Sequence, residues 1–326
     1  MTKGTVLFDN KRVIITGATG TIGMALIRRC IDHGIEAVVL VNPESRRLSR
    51  IPDDPLVKVI KCGLSDLADA DVASLGLDKI EDDDDRFADA MIHLAWSGTI
   101  GDGRNNRQLQ EQNAAYAEDA VRLAGRLGCN VFVGAGSQAE YGRVSGEISP
   151  DTPCAPENEY GRAKLSAGIA TRRLCRKMGI RHIWPRILSI YGPYDGEMTM
   201  IMSLISSLLE GKVPALTKGE QMWDYLYADD AADAILLLAE KGTDGCIYPI
   251  GSGVARPLRE YIEIIRDLID PSLELGFGQV PYSDRQVMHL CADISQLTAH
   301  TGFSPQVDFA EGAARTIAYV KDHSDR

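Results

Sequence analysis

A short glycine-rich segment near the start of the chain constrains its fold more than any other feature. Residues 13–23 read VIITGATGTIG, so four β-favouring residues run into glycines at positions 17, 20 and 23. Because residues 24–30 then show the apolar spacing of a helix, the pattern predicts a strand, a tight turn and a helix. Gly17 allows the sharp turn, Gly20 lets a phosphate approach the backbone, and Gly23 lets the helix pack close to the strand.

A turn of this kind predicts a dinucleotide-binding site. The N–H groups at the start of a helix lack intrahelical partners, and the helix dipole favours an anion there. A tight turn that binds no ligand is the alternative, but the correctly placed strand and helix favour the binding site. The cofactor-binding residues expected in this turn are Gly17, Thr19, Gly20, Thr21 and Ile22.

The size and charge of the chain limit its fold and its partners. With 326 residues, it can form one large α/β unit or a nucleotide-binding domain with a smaller lobe, and we favour the second arrangement. The hydrophobic share of 44% and the charged share of 25% are typical of a soluble globular protein. A net charge of −11 disfavours nucleic acid and anionic membranes as main partners, although a local basic pocket can still hold a phosphorylated small molecule.

The cysteines and the first residues predict a cytoplasmic protein. The seven cysteines are scattered without a C-x-x-C pair, so they indicate neither a disulfide framework nor a zinc site, and we expect no metal. The segment MTKGTVLFDN lacks the long apolar run of a signal peptide, and no later run approaches the length of a membrane span. Reduced thiols in the cytoplasm fit this pattern best.

Apolar runs alternate with helical patterns along the first 190 residues. This alternation is typical of an α/β fold with a doubly wound parallel sheet. Ligands of such sheets bind beyond the carboxyl ends of the strands, so residues 17–23, 94–98 and 134–142 should meet at one crevice. The predicted strands are 13–16, 37–41, 57–61, 91–96 (the strand with its exit), 130–134 and 181–190, and the predicted helices are 24–30, 106–127 and 160–178.

Beyond residue 191 the regular alternation ends, which indicates a smaller capping lobe. We therefore predict a dinucleotide-binding domain over residues 1–190 and a mainly substrate-binding α/β lobe over residues 191–326. The chain is expected to cross between the two more than once. The elements predicted in the second part are helices at 200–209, 229–240, 258–269 and 309–321 and a strand at 246–250.

Tyr160 and Lys164 have a spacing that indicates catalysis. Four positions apart on one predicted helix, they project from the same face. A phenol has a pKa near ~10, and a neighbouring cation stabilises its phenolate, which eases proton exchange with an alcohol or carbonyl near neutrality. The Y-x-x-x-K pattern is common on protein surfaces, but Ser137, at the end of the fifth predicted strand, brings a hydroxyl to the same crevice. These three residues form the candidate catalytic set.

Six motifs follow one another in an order that is specific to one family: GATGTIG, HLA, SQAEYG, YGRAK, RILSIYGP and WDYLYADD. On these motifs the chain resembles the extended short-chain dehydrogenase/reductase family, in its sugar-nucleotide branch, over nearly its whole length. The resemblance implies a Rossmann nucleotide domain, a smaller C-terminal substrate lobe and a nucleotide-sugar substrate. It also implies that Tyr160 exchanges the proton, that Lys164 lowers the Tyr160 pKa and holds the nicotinamide ribose, and that Ser137 polarises the substrate oxygen.

The residues after Ser137 argue against one activity of this branch, 4,6-dehydration. Dehydratases place an acidic pair there to expel a hydroxyl, whereas this chain has Gln138 and Ala139. The phrases GSQAEYG and EQMWDYLY look most like 4-ketoreductases of deoxysugar pathways. The resemblance therefore implies NADP(H)-dependent reduction of the 4-keto group of a nucleotide-linked 4-keto-6-deoxy sugar. The alternatives are a nucleotide-sugar 4-epimerase that retains NAD and a catalytically silent nucleotide-binding regulator.

The end of the second predicted strand bears on the choice of cofactor. NAD-using relatives usually carry an aspartate there that binds the ribose hydroxyls, whereas this chain has Val41 and Asn42. Arg46 and Arg47 follow shortly after. The missing acid removes repulsion towards a 2′-phosphate, and a guanidinium can pair with that phosphate. We expect NADP(H), with NAD(H) as the second choice; solvated arginines without a ligand are the alternative.

Further site residues follow from the resemblance. Gly63, with Leu64 beside it, replaces the acid that usually contacts adenine, and Ser189 stands where many relatives have a substrate-binding asparagine. Arg285 stands where relatives often have an arginine that pairs with the nucleotide diphosphate. The further cofactor contacts expected are Leu64, Leu94, Ala95, Trp96, Tyr160 and Lys164, and the substrate contacts expected are Ser137, Gln138, Ser189 and Arg285.

The resemblance also implies an oligomeric state. Relatives commonly pair through the two helices that here are predicted at residues 106–127 and 160–178. Both helices can offer an apolar face to a second copy. We therefore expect a homodimer.

Overall fold

The structure, a computed structural model, describes residues 12–80, 86–284 and 286–323 as a succession of strands and helices. The strands are β1 (Arg12–Thr16), β2 (Glu36–Val41), β3 (Val57–Lys61), β4 (Ala90–His93), β5 (Val131–Gly134), β6 (Gly136–Ser137), β7 (Arg181–Ile187), β8 (Ser189–Tyr191), β9 (Met222–Trp223), β10 (Tyr225–Tyr227), β11 (Ile247–Ile250), β12 (Arg256–Pro257) and β13 (His289–Leu290). The helices are α1 (Thr21–Asp32), α2 (Val72–Leu75), α3 (Arg107–Arg126), α4 (Glu159–Met178), α5 (Met200–Leu209), α6 (Ala228–Lys241), α7 (Leu258–Ile269), α8 (Ser295–Thr301) and α9 (Phe309–His323).

A parallel sheet with the strand order β11-β7-β5-β4-β1-β2-β3 forms the main body, and β6 adds to it beside β7. The pairings between neighbouring strands of this sheet are parallel. Apolar residues of α1 and α6 cover one face of the sheet, and those of α3 cover the other. The predicted α/β fold with a doubly wound parallel sheet is therefore confirmed.

The central strands are apolar along their length because both of their faces are covered. Ile15 packs into the layer that contains α1 and α6, whereas its neighbour Ile14 packs into the layer that contains α3. Successive side chains of a strand point to opposite faces, so a strand buried on both sides reads as a continuous apolar run. This is the reason that β1 could be recognised from its sequence.

The register of the sheet brings three strand ends to the same level. Thr16 at the end of β1 pairs with His93 at the end of β4, and His93 pairs with Gly134 at the end of β5. The chain leaves the sheet after each of these residues. The glycine turn, the segment after β4 and the segment after β5 therefore begin side by side at one edge.

Helix α6 and strand β11 return to the main sheet from the second part of the chain. Strand β11 pairs with β7, and α6 packs against α1. Two ion pairs join these helices, Arg28 with Asp229 at 2.6 Å and Arg29 with Asp233 at 2.6 Å. Residues on both sides of the predicted boundary at 190 and 191 thus contribute to this sheet. The boundary itself stays a prediction.

Helices α5, α7 and α9 of the second part form a separate apolar cluster. They pack around Tyr191 and Tyr225, and the ring centroids of Tyr261 and Phe309 lie 4.4 Å apart. Two small sheets border this cluster, one of β8 and β10 and one in the order β12-β9-β13. Strand β8 follows β7 after a single residue, Leu188, so the chain passes directly from the main sheet to this cluster.

One predicted strand ends earlier than expected. The strand predicted at 181–190 stops at Ile187, since its partner β11 ends at Ile250, and β8 then pairs with β10 instead. In the segment predicted as the fourth strand and its exit, 91–96, the strand ends at His93, and residues 94–96 run as a loop across the end of the sheet. Leu94 and Trp96 in that loop and Leu188 after β7 line the second cavity described below.

Candidate active site

A cavity of about 810 Å³ lies at the carboxyl ends of β1 to β4. The glycine turn forms one side of it, and the segments that follow β2, β3 and β4 form the others. Of the residues expected to bind a cofactor, its lining includes Gly17, Thr19, Gly20, Asn42, Arg47, Leu64, Leu94, Ala95 and Trp96.

The glycines of the turn are required by its geometry. Gly17 has a φ of +76°, and a Cβ atom there would lie 2.6 Å from the backbone nitrogen of Ala95. A Cβ atom on Gly23 would collide with the Gly17 carbonyl oxygen. Gly20 differs, because its nearest neighbour in the direction of a Cβ atom is 3.7 Å away. Gly17 and Gly23 therefore allow close packing of the backbone, whereas Gly20 leaves open space at the start of α1.

The start of α1 fits a phosphate group. Gly20 is the N-cap residue, so the first turn of the helix receives no hydrogen bond from a capping side chain. Free N–H groups at this end can bind an anion. The open side of Gly20 and the uncapped helix therefore fit a dinucleotide pyrophosphate. Thr21 and Ile22 were also expected here, but neither lines the large cavity. Ile22 lines the second cavity, which is described below. Burial raises the pKa of Asp195, and a hydrogen bond with the Thr21 side chain partly offsets this increase.

The segment after β2 places one of its two arginines at the large cavity. Arg47 and Asn42 line the cavity, whereas Arg46 lies outside its lining. The Asn42 side chain accepts a hydrogen bond from the Glu44 N–H at 3.0 Å, which shapes the turn. Of the two candidate partners for a 2′-phosphate, Arg47 is the one that lines this cavity.

Asp66 is an acid at this cavity that the sequence analysis missed. Its carboxylate accepts the N–H of Gly63 at 2.7 Å, and it lines the cavity together with Gly63 and Leu64. Gly63 occupies the expected position of an adenine-contacting acid, and Asp66 follows one turn later. The sequence signal was the N-cap pattern of Gly63 with an acid three residues on, which folds the carboxylate back.

A second cavity, of about 290 Å³, contains the expected catalytic residues. Ser137, Gln138, Tyr160 and Lys164 line it. Leu94, Trp96 and Thr99 line both cavities, so the two adjoin. The remaining residues of its lining are Ile22, Arg104, Ala135, Gly136, Ile187 and Leu188.

Helix α4 meets the short turn after Ser137 at a glycine. The N-cap residue Asn158 accepts the N–H of Gly161 at 2.8 Å, which fixes the start of the helix. A Cβ atom on Gly161 would collide with the carbonyl oxygen of Ala139. This close approach places Tyr160 next to the Ser137 turn.

Ser137 is held from both sides. Its hydroxyl accepts the N–H of Ala139 at 3.2 Å, and its own N–H donates to the Glu140 carboxylate at 2.8 Å. Glu140 is fully buried and also accepts from Arg186 Nε at 2.7 Å and from Trp184 Nε1 at 3.1 Å. The sequence analysis missed this buried ion pair, whose signal was the glutamate within SQAEYG.

Lys164 has an environment that disfavours its charge. Burial lowers its pKa to about 7, and the Glu140 carboxylate opposes this change. The ammonium donates to the carbonyl of Ala135 at 2.7 Å and lies 3.7 Å from the centroid of the Trp96 ring. The Trp96 indole is fixed in turn by donating to Gln110 Oε1 at 2.7 Å.

The surroundings of Tyr160 shift its pKa in both directions. Burial raises the pKa of Tyr160, and Glu140 raises it further; the Ser137 hydroxyl and the Arg104 charge lower it. The lowering effect expected of Lys164 stays a prediction. The Nζ atom of Lys164 lies 5.8 Å from the centroid of the Tyr160 ring, whereas the Cζ atom of Arg104 lies 4.4 Å from it. Arg104 is a site residue that the motifs did not indicate.

Of the expected substrate residues, Ser189 stands apart from these cavities. The Ser189 hydroxyl accepts the indole N–H of Trp223 at 2.9 Å, and Ser189 lies outside the lining of the second cavity. Arg285 lies outside the described residues. Ser137 and Gln138 do line the second cavity, and their substrate contacts stay predictions.

Two kinds of feature are not found in the part of the chain that the structure describes. Residues 12–80, 86–284 and 286–323 contain no group of three or more His, Cys, Asp or Glu side chains arranged to hold a metal ion. Within the same ranges, no helix has both the length and the hydrophobicity needed to cross a membrane.

Comparison with known proteins places these features in a family context. The model of the NAD dependent epimerase/dehydratase family matches residues 13–251. The curated dTDP-glucose 4,6-dehydratase of Streptomyces antibioticus is 24% identical over 325 residues, which cover 95% of this chain and 92% of the relative.

Solved structures share the fold. The UDP-N-acetylglucosamine 4-epimerase from Methanobrevibacter ruminantium M1, solved in complex with UDP-N-acetylmuramic acid, superposes with a TM-score of 0.83 at 22% identity, covering 97% of this chain and 100% of that one. The UDP-glucuronic acid 4-epimerase from Bacillus cereus, solved in complex with NAD, superposes with a TM-score of 0.80 at 20% identity, covering 96% and 99%. At these identities the superpositions establish the shared fold.

Proposed function

The chain belongs to the NAD-dependent epimerase/dehydratase family, and on this premise we propose that it is a 4-epimerase of a nucleotide-linked sugar that retains NAD. One observation carries the proposal, the lining of the second cavity. Ser137, Tyr160 and Lys164 line it beside the large cavity, and none of its lining residues, all of them described, is acidic. The cavity thus offers proton exchange with one oxygen and lacks the acidic pair that elimination requires. Relatives named as 4-epimerases of UDP-sugars support the same reading.

The residues of the second cavity account for the proton transfers at C4. Tyr160, as phenolate, takes the proton of the C4 hydroxyl and, as phenol, returns it to the C4 oxygen. Ser137 donates a hydrogen bond to that oxygen and so stabilises its partial negative charge. When bound, the dinucleotide would supply a nicotinamide ring that accepts hydride from C4 and returns it to the opposite face of C4 after the 4-keto sugar has turned over in the cavity. Lys164 would hold the ribose through an N–H of its ammonium, which has three such donors and gives one of them to the Ala135 carbonyl.

Dehydration is not part of the proposal. Loss of a hydroxyl from the sugar needs a general acid and a general base in addition to the phenol. The amide of Gln138 and the methyl group of Ala139 provide neither. We therefore expect no 4,6-dehydratase activity, although several relatives carry that name.

Reduction of a 4-keto-6-deoxy nucleotide sugar with NADP(H) is the second candidate. It is favoured by Arg47 at the large cavity and by Asn42 in place of a carboxylate at the end of β2. A guanidinium near the ribose binds a 2′-phosphate, and Asn42 adds no negative charge beside it; Glu44, which also lines the cavity, is the nearest acid along the chain. The same three catalytic residues serve both reactions, so the behaviour of the cofactor distinguishes them.

The deciding experiment measures the cofactor first and the products second. Protein purified without added cofactor is denatured and assayed for NAD, and is then incubated with UDP-, dTDP-, GDP- and CDP-linked hexoses while NMR follows the C4 configuration. Stoichiometric NAD and C4 epimers support the epimerase. Oxidation of added NADPH by 4-keto-6-deoxy nucleotide sugars, with no bound NAD, supports the reductase. The regulator alternative is supported if neither reaction occurs, or if Tyr160→Phe leaves an observed activity unchanged.

A matched pair of variants tests the reductase candidate separately. If NADP(H) is the cofactor, Arg47→Gln should weaken its binding about tenfold or more, because a charge-assisted contact is lost. Arg46→Gln removes the same charge from a residue outside the cavity lining and should have little effect. Equal effects of both substitutions, or of neither, would remove the support for NADP(H).

Two further expectations stay proposals. A homodimer formed through α3 and α4 is supported by the outer face of α4, where Ile169 is 48% exposed beside Leu165. Light scattering of the protein and of Ile169→Asp at micromolar concentration tests it, since the substitution should yield monomers. A cytoplasmic location is proposed from the unpaired cysteines alone.

A further inference from the structure

Arg104 is a second cation of the catalytic cavity, on a loop outside the sequence motifs. It lies between β4 and α3 and is half-buried. Among the residues that line this cavity, all in the described part of the chain, Lys164 is the other charged one. Because Arg104 lies beside Tyr160, its positive charge can affect the ionisation of the phenol.

A buried glutamine holds the loop in position. Gln110, on α3, is 1% exposed and donates from Nε2 to the carbonyls of Gly98 at 2.9 Å and Gly103 at 2.8 Å. Its Oε1 atom accepts the Trp96 indole N–H at 2.7 Å. Because a buried amide with these hydrogen bonds satisfied fixes the groups around it, the path of the loop is set from the protein interior.

The glycines of this loop let it close on itself. Gly98 has a φ of +68°, and a Cβ atom on Gly103 would lie 2.7 Å from the Gly98 Cα atom. Such a close approach excludes larger residues at both positions. Arg104 follows directly and donates from Nη1 to the Thr99 carbonyl at 2.9 Å. The guanidinium is thus anchored within the closed loop.

The anchored guanidinium lies against the reacting phenol. Its Cζ atom is 4.4 Å from the centroid of the Tyr160 ring, a distance at which a cation affects the ionisation of the ring's hydroxyl. Lys164 is farther from the same centroid, at 5.8 Å, and its ammonium is engaged by Ala135 and Trp96. Of the two cations in the cavity, Arg104 is the nearer to the ring.

We propose that Arg104 is the positioning residue whose charge stabilises the phenolate of Tyr160, an inference that rests on the function proposed above. The groups that face Tyr160 from other elements act in both directions. Burial and Glu140 disfavour the phenolate, and the hydroxyl of Ser137 favours it together with Arg104.

The direction of the pH effect follows from the role of the phenol. Tyr160 is a base only as phenolate and an acid only as phenol. Removing the charge of Arg104 raises the Tyr160 pKa. Oxidation at C4, which needs the base, then moves to higher pH, and reduction at C4, which needs the acid, persists to higher pH.

The test is a ¹³C NMR titration of Tyr160 in the complete chain without cofactor. Tyrosine labelled at Cζ is incorporated, and the Tyr160 resonance is identified by its loss in Tyr160→Phe. Arg104→Gln should raise the titration midpoint measurably, because a positive charge held over the face of the Tyr160 ring is lost. Arg104→Lys should lie between that variant and the unsubstituted protein.

Arg107→Gln is the matched control. It removes an equal charge three positions along the chain, from a side chain that is 78% exposed and paired with Glu111. It should leave the Tyr160 midpoint unchanged. The proposal is overturned if Arg104→Gln leaves the midpoint in place, if the control moves it equally, or if Tyr160 stays un-ionised in both proteins until they unfold.

Two precautions keep the result decisive. If Arg104→Gln does not fold by circular dichroism, Arg104→Met is compared with Arg104→Lys, and equal midpoints overturn the proposal. The titration uses neither cofactor nor nucleotide sugar. It can therefore fail while C4 chemistry is demonstrated, and failure to find C4 chemistry leaves the titration result intact.

Discussion

At the scale of single residues, burial of the Lys164 ammonium destabilises the folded protein when this group is charged. Its ammonium is buried among apolar and aromatic groups, and its pKa falls to about 7 from an ordinary value of 10.5. Below pH 7 the folded chain must keep a buried charge. Above pH 7 it can release the proton, whereas the unfolded chain holds that proton until the pH approaches 10.5. Stability linked to this group therefore rises with pH across this interval.

We predict that replacing Lys164 flattens the dependence of stability on pH. The free energy of unfolding of the cofactor-free protein should rise between about pH 7 and 8.5, with a contribution from Lys164 of at most ~1.4 kcal/mol per pH unit. Lys164→Met should lose this contribution. Urea unfolding at several pH values measures it, and parallel curves for the two proteins would contradict the prediction. The range stops near pH 8.5 because thiols begin to ionise in the unfolded chain there.

The buried pair of Glu140 and Arg186 supports a second prediction. Glu140→Gln keeps hydrogen bonds to the Ser137 N–H and the Trp184 indole but leaves Arg186 as an uncompensated buried charge. We expect the free energy of unfolding to fall by about 3 kcal/mol, as for one broken partner of a buried pair.

An exposed pair provides the control for that substitution. Glu159→Gln breaks the pair with Arg162 at the surface of α4, where the arginine side chain is 49% exposed. Surface pairs contribute less than ~1 kcal/mol, so the loss should be small. Denaturant unfolding at neutral pH measures the free energy of unfolding of both variants. Losses of similar size would show that the buried pair of Glu140 and Arg186 stabilises the fold no more than an exposed pair does.

At the scale of elements, the site depends on how closely α4 approaches the turn after Ser137. Gly161 makes that approach possible, because a Cβ atom there would collide with the Ala139 carbonyl. We predict that Gly161→Ala moves the start of α4 away from the turn and separates Tyr160 from Ser137. A displacement of about 1 Å between reacting groups lowers kcat by roughly 10²-fold.

Gly146→Ala is the control for this effect, since a Cβ atom at Gly146 meets no atom within 4 Å. Its kcat should match that of the unsubstituted protein. Steady-state kinetics with the substrate identified by the product screen provides the measurement. A normal kcat for Gly161→Ala would mean that the turn moves with the helix and that the catalytic set survives the shift.

How far the site could be predicted depends on which element carries each residue. Tyr160 and Lys164 were predictable because helical periodicity alone places them on one face, and the structure brings both to the cavity of Ser137. Asp66 and Arg104 escaped prediction because they lie on short loops, where no periodicity relates position in sequence to position in space. The loop of Arg104 takes its path from hydrogen bonds to a helix residue, Gln110, that no local pattern connects to it.

The same distinction applies to the ends of strands. The apolar run at 181–190 predicted one strand, but an apolar run cannot indicate where the neighbouring strand stops. Strand β7 ends where its partner β11 ends, and the residues after it pair with β10. Strand identity was thus local information, and strand length was not.

At the scale of the whole molecule, the main sheet is completed from the second part of the chain. Strand β11 supplies its edge beside β7, and α6 covers the face on which α1 lies. Ile235, Leu236 and Leu238 of α6 are fully buried there. Burial of each such side chain contributes about 1.5–3 kcal/mol, so together they approach the ~5–15 kcal/mol net stability of a typical domain. The predicted boundary at residue 190 would remove all three.

We therefore predict that a fragment of residues 1–190 does not fold cooperatively, whereas a fragment of residues 1–251 does. The longer fragment keeps α6, β11 and the ion pairs of Arg28 with Asp229 and Arg29 with Asp233, so both faces of the sheet stay covered. Thermal melting followed by near-ultraviolet circular dichroism distinguishes the two, because a loosely packed chain lacks a sharp transition. A sharp transition in the shorter fragment would show that the first 190 residues form an independent domain and that α6 and β11 only add to it. If neither fragment shows a sharp transition, the apolar cluster of α5, α7 and α9 is needed to hold the end of β7 in place.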